Sequence, residues 1–189
     1  MNIGVVGSRN SGKETLGEML RSSALEYKKE EKFQEFRLLY ENIIFKLRLF
    51  FSSSFEVLEQ SLSGRQRLDG LIVMTNIYDR SFLESSLREK IENLKSLIEF
   101  DNYKVLVAIE EQFAERFKIR DKELIQKAKD LDFIYYFKLN APTKKKDVME
   151  IFHKILSDFL LKFKYSNPEM YELAIKFGMS LKKKGKEGM

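Results

Sequence analysis

The sequence predicts an α/β fold: a mostly parallel six-stranded sheet with one antiparallel hairpin strand, helices on both faces, and an extra C-terminal helix. Three observations predict it. A short apolar run at residues 2–7 (NIGVVG) ends in glycine, and from Lys13 to about Tyr27 apolar residues recur at helical spacing through Leu16, Met19, Leu20 and Leu25. Three later runs, residues 68–77 (LDGLIVMTNI), 103–109 (YKVLVAI) and 133–139, are apolar almost throughout, as parallel strands covered on both faces must be. Residues 33–51 alternate instead: Phe36, Leu38 and Tyr40, then Phe45, Leu47, Leu49 and Phe51 interleaved with Lys46 and Arg48. With Glu41 and Asn42 at the turn, this stretch reads as an antiparallel hairpin.

The helices follow from spacing. Residues 82–99 carry Leu83, Leu87, Ile91, Leu94 and Ile98 on one face; residues 121–130 form a shorter helix; residues 144–163 align Val148, Ile151, Phe152, Ile155, Leu156, Phe159 and Leu160. The expected order is βαββ(α)βαβαβα, with right-handed crossovers between parallel strands. These elements fill one domain, residues 1–164. Beyond it, Asn167 and Pro168 make a cap followed by a first-turn proline, and Met170, Leu173, Ala174, Phe177 and Leu181 continue at helical spacing. A C-terminal amphipathic helix is therefore expected over 167–182, and a flexible basic tail over 183–189.

A chain of 189 residues that is 43% hydrophobic buries one good core and is short for two domains. The absence of cysteine excludes a disulfide framework and a thiolate metal site, and the single histidine excludes a His-rich one. No apolar run reaches the roughly 18 residues of a membrane span, and the opening MNIGVVGS reads as a strand and not as a signal. An intracellular location, cytoplasm or nucleus, is expected. The net charge of +5 owes much to Lys182, Lys183, Lys184 and Lys186, so contact with nucleic acid is expected only through this tail. His153 reads as a surface residue, and the alternating Phe133, Tyr135, Tyr136 and Phe137 read as core.

Chemistry concentrates at Gly7–Lys13. Gly7, Ser8, Arg9, Asn10, Ser11, Gly12 and Lys13 fit the GxxxxGK part of a Walker A loop, where backbone N–H groups wrap phosphate oxygens and the lysine neutralises them at a helix N-terminus. The candidate phosphate-binding residues are Gly7, Asn10, Ser11, Gly12, Lys13 and Thr15. The next position should supply a magnesium-binding hydroxyl, yet it is Glu14, and Thr15 points about 100° away around the helix. Two readings of the loop stay open: a phosphate cradle, and a glycine turn that the strand-to-helix geometry requires. Asn76 or Asp79, after the LIVMTN strand, would be a displaced acidic site, but an aspartate there also caps the helix that follows.

This order, with a hairpin after the first helix and a phosphate loop after the first strand, resembles the Ras-like small GTPases over residues 1–163. The resemblance implies a γ-phosphate-sensing threonine, D-x-x-G after the third strand, N-K-x-D after the fifth, and a later S-A-K. This chain has no threonine between Thr15 and Thr75. Where the family reads W-D-T-A-G-Q it has Phe50, Phe51, Ser52, Ser53, Ser54 and Phe55; Ile109, Glu110, Glu111 and Gln112 replace N-K-x-D, and Leu139, Asn140 and Ala141 replace S-A-K. Phosphoryl transfer rests on positioned charge, so these replacements imply a pseudo-GTPase with no catalytic residues. GTP or ATP with magnesium is expected only if the loop is functional.

Two stretches are similar to the centromere protein M family of pseudo-GTPases. One is Lys46–Leu49 with the serine loop, then Arg65, Gln66, Arg67, Leu68 and Asp69 leading into LIVMTN; the other is Asn167, Pro168 and MYELAIKFGMSL. That resemblance implies a non-catalytic scaffold in an inner kinetochore complex at the centromere, docked on a helical-repeat subunit. The expected partner-binding residues are Phe50, Phe51 and Phe55, with Val57 beside them, and Met170, Leu173 and Phe177 on the terminal helix. The opposing expectation for the phenylalanines is that they pack under the second helix.

Overall fold

The computed structural model describes residues 1–8, 10–62, 67–80, 86–97, 103–111 and 119–187. In chain order the elements are β1 (Asn2–Gly7), α1 (Lys13–Arg21), β2 (Glu26–Lys29), β3 (Gln34–Tyr40), β4 (Ile43–Ser52), α2 (Phe55–Ser61), β5 (Gly70–Asn76), α3 (Ser86–Leu97), β6 (Lys104–Glu111), α4 (Asp121–Asp130), β7 (Tyr135–Ala141), α5 (Lys145–Ser166) and α6 (Pro168–Glu187). The strands form one sheet in the order β2-β3-β4-β1-β5-β6-β7. From β4 to β7 all neighbours are parallel, and β3 pairs antiparallel with both β4 and β2.

The apolar strands are legible because both faces are covered. Successive residues go to opposite sides: Val6, Phe50, Val73 and Leu106 join the core under α2, α3 and α4, while Val5, Leu49, Ile72 and Val105 join the core under α1 and α5. Tyr103 and Tyr135 hold α5 in place by donating hydroxyl hydrogen bonds to Asp158 Oδ2, at 2.9 and 2.6 Å. The hairpin turns at Glu41 and Asn42, whose φ angles of 46° and 64° are the left-handed pair of a two-residue turn that follows strand twist.

The sheet has seven strands among the described residues, not the six expected. The additional strand is β2, and α1 ends at Arg21, six residues before the expected end near Tyr27. Its pattern, EYKK, gives no alternation of its own, because its pairing is dictated by the open edge of β3. The Tyr27 ring stacks at 5.2 Å on Phe36, and charged side chains keep the outer edge solvated. The helix expected over 82–99 is described from Ser86 to Leu97; its remaining residues, like Arg65, Gln66 and Gln112, lie outside the described residues.

At the C-terminus the Asn167 side chain accepts from the Met170 N–H at 3.3 Å, as a cap should. α6 extends to Glu187, into the stretch expected as a tail, since lysines suit the last turns of a helix. It folds back onto the hairpin: Gly178 is buried, and a Cβ there would lie 1.6 Å from the Asn42 carbonyl oxygen. No helix among the described residues is long and apolar enough to cross a membrane.

Candidate functional site

Strand order reverses direction at β1: the chain first fills the sheet to one side, β4 to β2, and then the other, β5 to β7. In open parallel sheets the crevice beyond the strand ends at such a point is where ligands bind. Here that crevice is framed by the 7–13 loop, the Ser52–Ser54 segment after β4, and Thr75 to Asp79 after β5.

The structure brings the candidate loop residues together. Gly7 admits no side chain, because a Cβ would lie 2.4 Å from Ser11 Oγ and 2.5 Å from the Met74 carbonyl oxygen. Ser11 is fully buried and its N–H donates to Ser8 O at 3.2 Å. Asn10 and Gly12 take left-handed φ angles of 71° and 78°. Lys13 reaches back across the loop, donating from Nζ to Gly7 O at 2.5 Å, Ser8 O at 2.7 Å and Ser11 Oγ at 3.2 Å. Burial lowers its pKa from the ordinary lysine value, and the charge of Glu14 partly opposes this. Thr15 is half-buried and Glu14 is exposed. Arg9 lies outside the described residues.

Two cavities flank the loop. The larger, about 590 Å³, lies between α1 and the β2–β4 strands. Its helical wall is Lys13, Glu14, Gly17, Glu18 and Arg21; the strand side presents Tyr27, Lys29, Gln34, Phe51, Ser52 and Ser53, with no carboxylate. The smaller, about 150 Å³, runs from Gly7 and Ser8 past Ser53, Ser54 and Thr75 to Asp79 and Lys90. Asp79 thus shares a cavity with the loop, whereas the carboxylate whose charge bears on Lys13 is Glu14. No group of three or more acidic, His or Cys side chains among the described residues is placed to hold a metal ion.

Where the family resemblance expects base-reading groups, Ile109 instead packs against the loop. Its Cδ1 lies 2.1 Å from where a Cβ on Gly12 would sit, so glycine is needed there on two counts, φ and space. Glu110 is tied to Lys138 Nζ at 2.8 Å, and Lys138 also bonds Asp121 at 3.0 Å. The sequence places Ile109 at the N-K-x-D position but does not bring it to Gly12, and it does not single out the cavity walls from Glu18 to Gln34. The visible signal was the charged face of α1, Glu14, Glu18 and Arg21, at helical spacing.

The expected aromatic patch does not form. Phe50 is 1% exposed and Phe55 is 8% exposed, both in the core under α2, and Phe51 is half-buried against Gly17 on the opposite face. The end of β4 pairs with β1 and is covered on both faces, so consecutive phenylalanines there belong to the cores of the two sides. Met170, Leu173 and Phe177 are 51%, 58% and 61% exposed, and Val57 is exposed as well. No family model matches the chain, and no curated protein matches it significantly.

Proposed function

We propose that this chain is a non-catalytic interaction module built on a small-GTPase-like frame. The observation that supports it most is the donor set around Lys13: across the larger cavity it faces Phe51, Ser52 and Ser53, and Glu14 on its own helix is the carboxylate that bears on it. Loop N–H groups and one lysine suit an oxyanion. A magnesium-bound nucleotide does not fit this set: a carboxylate stands where a hydroxyl ligand is needed, the strand wall of the larger cavity presents no acid, and an aliphatic side chain covers Gly12. The loop glycines are explained by packing, without any ligand.

Calorimetric titration of the nucleotide-stripped protein with GTP, GDP, ATP and ADP, with and without Mg²⁺ and beside Lys13→Ala, tests this reading. No binding heat is expected. Micromolar binding that disappears in Lys13→Ala establishes the second reading, a divergent P-loop nucleotide-binding protein or slow GTPase or ATPase, which the intact loop geometry favours. The centromere protein M resemblance supports an inner kinetochore setting with a helical-repeat protein partner; a tagged chain that shows no enrichment at centromeres removes that setting.

A further inference from the structure

The larger cavity beside the loop, about 590 Å³, has the size of a small-molecule site, and its two walls carry opposite kinds of polar group. On the strand wall Lys29 and Gln34 are direct partners across the β2–β3 pair, so their side chains stand next to each other. Gln34 Oε1 accepts from the Tyr27 hydroxyl at 3.3 Å, which leaves its Nε2 donors to the cavity, and Lys29 makes no ion pair or side-chain hydrogen bond among the described residues. Ser53 adds an exposed hydroxyl. This wall offers donors.

The helical wall offers acceptors. Glu14 and Glu18 are one turn apart on α1, and like charges at that spacing repel. Lys13 does not neutralise the pair: its Nζ is turned into the loop, on Gly7 O, Ser8 O and Ser11 Oγ, and Glu18 makes no ion pair among the described residues. Arg21 lies 4.7 Å over the Tyr27 ring and closes that end of the cavity. Between the walls lies an apolar floor. Gly17 sits mid-helix, where glycine weakens a helix, and a Cβ there would come within 3.2 Å of Phe51 Cζ. One face of α1 is thus weakened twice, by a glycine and by a pair of like charges, and both line the same space.

We propose that this cavity binds a small zwitterion, with its oxyanion on Lys29, Gln34 Nε2 and Ser53, its ammonium on Glu14 and Glu18, and its aliphatic stem across Phe51. The two acids alone would suit a diamine, and the strand-wall donors alone a simple anion; a ligand with both charges satisfies both walls through charge-assisted hydrogen bonds. Its polar contacts lie outside residues 7–13. The site is therefore separate from the phosphate loop, and the proposal goes beyond the interaction-module reading without resting on it.

Amide chemical shifts of the isotope-labelled full chain test it. The probes are ω-amino acids of four to eight carbons, with the diamine and the dicarboxylate of each length as single-charge controls. At least one ω-amino acid is expected to move amides of α1, β2 and β3, binding about tenfold more tightly than either control of its length. Glu18→Gln should weaken the amino acid and the diamine and leave the dicarboxylate unchanged; Lys29→Gln should weaken the amino acid and the dicarboxylate and leave the diamine unchanged. Both positions are exposed, so neither substitution threatens the fold. A merely structural role for either residue would not give this crossed pattern. The proposal is overturned if no ω-amino acid moves those amides, if a single-charge control binds as tightly as the amino acid, or if either variant weakens all three ligands equally. Neither variant alters Lys13, so this test and the nucleotide titration fail separately.

Discussion

Gly12 and Gly178 both leave room for a neighbour, but they do so in different kinds of structure. At Gly12 the backbone is left-handed, and the missing Cβ is replaced by Ile109 from the end of β6. Gly12 is wedged between the first helix and the core, and Gly7 against Ser11 and the Met74 carbonyl. At Gly178 the missing Cβ is replaced by a carbonyl of the hairpin turn, and the helix around it is exposed on its other sides. One region is held by the whole fold and the other by one seam. Tight packing around a loop is thus no evidence of use, while loosely held surface is where partners find purchase.

Gly12→Ala should break this contrast most strongly. Both the strained φ and the clash with Ile109 act on the global fold, and urea unfolding should show a loss of about 2–4 kcal/mol. Adding Ile109→Ala to it should recover part of the clash term, so that the double variant is more stable than additivity allows. Gly178→Ala should act locally. Helix propensity gains about 1 kcal/mol, the contact with Asn42 is lost, and the global midpoint should stay within about 1 kcal/mol while amide exchange and proteolysis rise in α6. If Gly178→Ala instead unfolds the chain as a unit, α6 belongs to the core.

Between the two regions, Glu35 on β3 gives a smaller and pH-dependent effect. Burial raises its pKa, but hydrogen bonds from Arg48 and Lys46, both at 3.0 Å, and their charges outweigh this and leave it lowered. Its stabilisation is therefore present above the ordinary carboxylate range and is lost as pH falls through the lowered folded-state pKa. Glu35→Gln should flatten that acid limb by about 0.5–1 kcal/mol, the modest size reflecting its half-exposed partners. Smallest of all, Leu173→Ser should leave monomer stability within about 0.5 kcal/mol, because its surface is already in water.

Most of the frame was legible because its signals are redundant. Strands β5 and β6 are apolar on both faces, and the turn at Glu41 and Asn42 uses a residue type that tolerates left-handed backbone. β2 was not legible, since a charged four-residue edge strand is specified by its neighbour's hydrogen-bonding edge rather than by its own pattern. The misplacement of Phe50 and Phe55 has a related cause. Alternation in residues 45–51 suggested one wet face, whereas β4 lies inside the sheet between β3 and β1, with helices covering both faces of its end. At the site, the loop residues could be read from their spacing, but the role of Ile109 could not, because only the fold brings residue 109 to residue 12.

β4 runs from Ile43 beside the hairpin turn to Ser52 beside the loop, paired with β3 along Ile43–Leu49 and with β1 along Arg48–Ser52. Ten residues of strand span about 30 Å. The pole that carries α6 and the pole that carries the loop are therefore joined by a strut of fixed length, and whatever is fastened to each end is kept at a set distance from the other.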